Sequence, residues 1–167
     1  VAAQVRRAFA PLLKSLDDNP AGSVRGLLYR LAESLGSAPR RGLRAAIEAL
    51  TQSERRDLAR RGVVLGRRHV FMPSLLGAEA LRLRATLFQV KHPKAVPLPV
   101  GPASLRGGGS PDPSRDAAGG YEALGGMIVR VDAVESLLGA AHAQARKGPF
   151  HPSASMARLV QCGPEAL

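Results

Sequence analysis

RRGVVLGRRHVFMPSLLGAEALRLRATLFQVK, Arg60 to Lys91, decides how the chain is read. Gly62 stands where a helix C-terminus places a left-handed residue, so the arginines before it close a helix. Val63, Val64 and Leu65 are strand formers, and Gly66 with Arg67 suits a tight turn. Val70, Phe71 and Met72 give a second short strand, which Pro73 stops. Beyond it Leu76, Ala80, Leu83, Leu87 and Val90 recur every three or four positions and predict a helix, with Arg82 and Gln89 turned away from the stripe. The pattern is a small hairpin wedged between helices, with Arg60, Arg61, Arg67, Arg68 and His69 crowded at its edge. Such crowding points to a polyanionic partner and to no particular chemistry.

Upstream, Val5, Phe9, Leu12, Leu13 and Leu16 form one helical stripe that Pro11 must kink or restart. Asp17, Asp18 and Asn19 are cap candidates for the next helix, whose first turn Pro20 suits. Val24, Leu27, Leu28, Leu31 and Leu35 give that helix an apolar face, Arg25 and Glu33 lie on its wet side, and Gly36 ends it. Leu43, Ala46, Ile47 and Leu50 form a third stripe, preceded by Arg40, Arg41 and Arg44. Thr51 and Glu54 have capping-box spacing, which predicts a fourth helix through Leu58 to about Arg61. Short loops between these helices imply antiparallel packing around one core.

The character changes at Pro93. Prolines 97, 99, 102, 111 and 113 alternate with glycines, including Gly107–Gly109, and no apolar period survives, so residues 93–120 read as a linker. From Tyr121 structure resumes. Leu124 and Met127 flank a Gly125–Gly126 turn, Met127 to Val131 reads as a strand, and Asp132 caps a helix carrying Val134, Leu137, Leu138, Ala141 and Ala145, which Gly148 ends. Ser153 caps a helix with Met156, Leu159 and Val160. Cys162–Gly163 then turns into Pro164–Glu165, a weak helix-turn-helix signature. The fold class expected is mainly α: a helical subdomain with a β-hairpin over residues 1–92, the linker, and a small β-α-helix-turn-helix piece over 121–167.

The chain of 167 residues carries 24 Lys and Arg against 13 Asp and Glu, a formal charge of +11. Such a surface attracts phosphate backbones or anionic membranes, although a GC-rich genome also inflates arginine. The core must be Leu, Ala and Val, since aromatics are 4% and tryptophan is absent. One cysteine rules out an internal disulfide framework and fits a reducing, cytoplasmic setting. No apolar run of the length that spans a bilayer occurs, and the N-terminal segment lacks the features of a signal peptide. It starts without Met in what reads as mid-helix, which suggests a piece of a longer protein.

Catalytic signatures are missing from the sequence. It contains no GxxxxGK[ST], GxSxG or HExxH, and Gly107–Gly109 has no following Lys. His69, His92, His142 and His151 are too dispersed, with Cys162, to suggest a zinc site. Asp17 and Asp18 are explained by capping, and Cys162 by packing. No cofactor or metal is therefore expected for this segment. The arginines carry the functional reading. Arg55, Arg56, Arg60 and Arg61 fan over a short helix with only Glu54 and Asp57 to neutralise them, and Arg67, Arg68 and His69 follow. Arg40, Arg41 and Arg44 are second-rank candidates. With only Phe71 and Phe88 nearby, contact with the nucleic-acid backbone is favoured over base stacking.

The segment LARRGVVLGRRHVFMPSLLGAEALRLRATLF resembles one that follows the motor domains of alphaproteobacterial superfamily-two helicases, the Mgp-type or Suv-type relatives of the mitochondrial degradosome helicase. Gly62, Val63, Gly66, Phe71, Pro73, Leu75 and Leu76 carry the likeness. SVRGLLYRLAESLG (Ser23–Gly36), GYEALGGMIVRVDAVESLL and MARLVQCGPEAL extend it over most of the chain. These are structural motifs. The resemblance implies a non-catalytic C-terminal accessory region of an ATP-dependent helicase, with the motor in the same polypeptide and RNA or DNA as partner. It transfers no catalytic residue. The competing expectation is a protein-interaction or structural module whose arginines only solubilise it.

Overall fold

Pro11 divides the first apolar stripe into two helices, α1 (Ala2–Ala8) and α2 (Ala10–Asp17), with Phe9 in non-helical geometry between them. Proline has no N–H to give and fits the first turn of α2, so the break falls where it costs no hydrogen bond. The structure, a computed structural model, describes residues 2–98, 100–101, 104–106, 113–124 and 126–160. It is mainly α-helical with two small antiparallel sheets. Its contacts group residues Val1–Val100 and Gly101–Leu167 into two units, described here separately.

In the first unit, α3 (Gly22–Glu33) buries Val24, Leu27, Leu28 and Leu31 as the stripe requires. Its start differs from expectation: Ala21 is the N-cap without a side-chain hydrogen bond, and Asn19 takes a positive φ while its Oδ1 accepts from Arg25. Asn19 precedes Pro20, whose ring disfavours helical geometry there, so the acidic and amide side chains lie too far upstream to cap. At the other end the Gly36 N–H donates to Leu31 O at 2.7 Å and the Leu35 N–H to Ala32 O at 3.1 Å. This is a Schellman closure with Leu35 (φ 54) in the left-handed position ordinarily given to glycine.

The chain then enters a strand that the sequence did not announce, β1 (Ser37–Pro39). A turn of 3-10 helix over Arg40–Leu43 and the short α4 (Arg44–Glu48) replace the longer third helix, and of its expected stripe Ala46 is exposed. Next, α5 (Gln52–Arg60) opens on the predicted capping box and closes on a second Schellman pair, Val63 N–H to Leu58 O and Gly62 N–H to Ala59 O. Leu58 and Val63 are both in the core, which is the apolar contact that favours this closure. The hairpin β2 (Val64–Leu65) and β3 (His69–Phe71) follows, and β1 pairs on the other side of β3 to give the order β1-β3-β2. Pro39 is tolerated because β1 is an edge strand.

Helix α6 (Ala78–Lys91) packs against α1. It buries Ala80, Leu81 and Arg84, whereas Leu83 and Leu87 are only half-buried and Val90 is 74% exposed. The helix is thus rotated from the stripe read in sequence, and its buried Arg84 donates to Ser34 O, just past α3, and to Ser37 Oγ on β1. Gln89 then donates to the carbonyls of His92, Pro93 and Ala95 and folds the following segment back on the helix end.

In the second unit, part of the stretch read as linker has structure: β4 (Ser104–Arg106) and α7 (Pro113–Gly119). Gly107–Gly109 and Pro111 lie outside the described residues. Strand β4 joins the hairpin β5 (Tyr121–Leu124) and β6 (Met127–Arg130) in the order β4-β6-β5. Helix α8 (Val131–Ala145) starts before Asp132, which lies in its first turn and accepts from Arg130, and packs against α9 (Ala154–Leu159), capped by Ser153. The helix-turn-helix expectation rests on Cys162–Glu165, outside the described residues. Among the described residues, no helix is long and apolar enough to cross a membrane.

Candidate nucleic-acid interface

The charge is concentrated in one unit. Residues 1–100 hold 18 Lys and Arg against seven Asp and Glu, whereas residues 101–167 hold six of each. The whole formal excess of +11 therefore belongs to the helical first unit. A sugar-phosphate chain would be steered there, and the second unit adds nothing to the long-range attraction.

The arginines of that unit divide by what they hold. Arg40 is half-buried; its backbone N–H donates to Arg68 O and its Nη1 to Gly66 O, each at 2.7 Å. It locks the 3-10 turn after β1 to the loop between β2 and β3. The consequence is that Arg41, Arg67 and Arg68, all exposed, project from two adjacent turns at one end of the sheet. Arg44 follows within one turn and donates to Glu48 at 2.8 Å, both exposed, and this hydrogen bond to the carboxylate raises the Arg44 pKa.

Other predicted contacts are structural. Arg55 donates through Nε to Leu50 O at 3.3 Å and through Nη2 to Ile47 O, so it caps the carbonyl end of α4. Arg61, only 15% exposed, donates to Asp57 at 2.9 Å and to Ser15 O at 2.8 Å, tying α5 to α2. Arg60 reaches the same Asp57 at 3.4 Å but keeps 76% of its side chain in water. Arg56 is exposed, and among the described residues neither it nor Arg41 forms an ion pair or side-chain hydrogen bond. His69 is corrected outright: it is 7% exposed on the central strand β3, so it offers no surface for a phosphate. The third strand makes β3 the centre of the sheet, where a simple hairpin would leave it an edge.

The predicted site therefore splits. Arg41, Arg67 and Arg68 lie on the turns beyond the C-terminal end of β2, while Arg60 and Arg61 close α5 ahead of its N-terminal end.

Sequence reading missed a neighbouring feature. Arg30 and Glu33 of α3, its C-cap Ser34, and residues Ala38, Pro39, Arg41, Gly42 and Leu43 enclose a shallow groove of about 250 Å³ beside the arginine turns. Tyr29, 55% exposed, stands on the outward face of α3 next to Arg30. The available signal was an aromatic on the polar face of an otherwise regular amphipathic helix. Phe71, named as a possible stacking residue, is buried in β3. Among the described residues no group of three His, Cys, Asp or Glu is arranged to hold a metal ion.

Comparison with protein-family models, with curated proteins and with solved structures finds no match to this chain.

Proposed function

We propose that the first unit binds the sugar-phosphate backbone of RNA or DNA, as the non-catalytic accessory region of an ATP-dependent helicase whose motor lies elsewhere in the same polypeptide. In this reading the segment needs no cofactor of its own and works in the cytoplasm. The observation that carries the binding is the segregation of charge: all of the +11 excess lies in residues 1–100. Exposed Arg41, Arg67 and Arg68 on adjacent turns support a local contact. The helicase assignment rests on the sequence resemblance of Leu58–Phe88.

The test is a salt titration of single-stranded RNA and DNA binding. Each phosphate contact removed from a single strand should lower the slope of log K against log salt by about 0.7. Changing Arg41, Arg67 and Arg68 to Ala together should reduce the slope by up to about three such steps. An unchanged slope removes nucleic-acid binding from these residues and leaves a protein-docking module with a solubilising surface. Changing Arg146 and Lys147 of the second unit to Ala should leave it unaltered.

A further inference from the structure

We propose that the first unit also holds an unpaired nucleobase, stacked on Tyr29, with the adjoining phosphate in the groove between Arg30 and Arg41. This rests on the nucleic-acid reading and names its ligand as single-stranded. Three observations lead to it. The chain has only six Phe and Tyr residues and no Trp. Phe9, Phe71 and Tyr121 are buried, Phe88 is half-buried and Phe150 is 37% exposed in a loop, whereas Tyr29 is 55% exposed on a well-formed helix. A core built so heavily from leucine has use for aromatic area, yet this ring faces water.

Its surroundings suit a nucleotide. Arg30 follows it on α3 and lines the groove with Arg41, which extends from the turn that Arg40 fastens to the Gly66–Arg68 loop. Two guanidinium groups on a concave wall suit a phosphate, and the exposed phenol ring of Tyr29, one helical turn before the rim residue Glu33 on the same face of α3, suits the flat face of a base. Glu33, on the same rim, repels phosphate and accepts hydrogen bonds, so it favours a base edge with an amino group. Duplexes keep their bases stacked internally and gain nothing from Tyr29. The groove therefore favours single strands over duplexes, a preference that backbone contacts alone do not supply.

The experiment compares the whole chain with its Tyr29→Ala, Tyr29→Phe, Arg41→Ala and Arg67→Ala/Arg68→Ala variants. Ligands are a ten-nucleotide single strand, an abasic strand of the same length and the matching duplex. Tyr29→Ala should weaken the single strand about five- to a hundredfold and leave the abasic strand and duplex unchanged. Tyr29→Phe should restore binding. Because the other tyrosine, Tyr121, is buried in the second unit, quenching of tyrosine emission by the normal strand and not by the abasic one reports stacking directly. If Tyr29→Ala binds the single strand as tightly as the parent while Arg67→Ala/Arg68→Ala weakens it, the stacking site is overturned and backbone binding stands. If the arginine variants also bind unchanged, both fall.

Discussion

The guanidinium of Arg84 donates to the hydroxyl oxygen of Ser37 at 2.7 Å and to the carbonyl oxygen of Ser34 at 3.3 Å, with the arginine side chain fully buried. One cation thereby joins α6 to the end of α3 and the start of β1. Both bonds run through Nη2 to acceptors beside one face of α6, so they hold that face toward the end of α3 and the start of β1 and offset part of the cost of burying the charge. Arg84→Ala should lower the unfolding free energy by about 3 kcal/mol, through a cavity and lost hydrogen bonds. Ser37→Ala should cost about 1–3 kcal/mol by leaving the charge short of an acceptor. In urea unfolding the double variant Arg84→Ala/Ser37→Ala should lose less than the sum of the single changes; strict additivity would show that the two do not interact.

Gly36 has φ +96, and a Cβ built on it would lie 2.5 Å from Leu75 Cδ1. Two penalties coincide, backbone strain and a clash with a buried leucine. Gly36→Ala should therefore destabilise by about 2 kcal/mol or more. Gly26, in the interior of α3 with nothing within 4 Å of its would-be Cβ, gives the opposite sign. There Gly26→Ala should stabilise by about 0.5–1 kcal/mol. Thermal unfolding of the two variants side by side checks both.

The capping box makes stability pH-dependent. Glu54 accepts from the Ser23 hydroxyl, and from the Thr51 backbone at 2.7 Å and its hydroxyl at 2.8 Å, which together hold its pKa below the ordinary glutamate range. A depressed folded-state pKa gives stability that is complete above the unfolded value and is lost as pH falls through the folded one. Urea midpoints should thus fall on acidification below the usual glutamate pKa, and Glu54→Gln, which keeps a capping side chain without a titrating group, should flatten that limb. Thr51→Ala should cost about 1 kcal/mol at neutral pH.

Arginines that hold the fold should separate from those that face the solvent. Arg61→Ala removes bonds to Ser15 O and Asp57 and should cost about 1–2 kcal/mol of stability. Arg56→Ala should leave the melting temperature within a degree or two, since its side chain makes no such contact among the described residues. If Arg61→Ala melts like the parent, its role as a tether between α2 and α5 is wrong.

Local grammar told much of this structure in advance. Pro11 splitting α1 from α2, the stripe of α3, the Thr51–Glu54 box, the Gly62 closure and the β5–β6 turn all depend on residues within a few positions of one another. Nearest-neighbour chemistry is enough to decide such features. What the tertiary structure alone decided involves distant partners. The strand β1 is three residues long and exists because β3, some thirty residues on, supplies its ladder. His69, opposite Pro39 on that ladder, is buried and outside the site. The buried face of α6 holds Arg84, which meets Ser37, and Arg55 and Arg61 were claimed by carbonyls eight and 46 residues away. An arginine run in sequence records that charge is present; which members reach water depends on hydrogen-bond acceptors that only folding brings beside them.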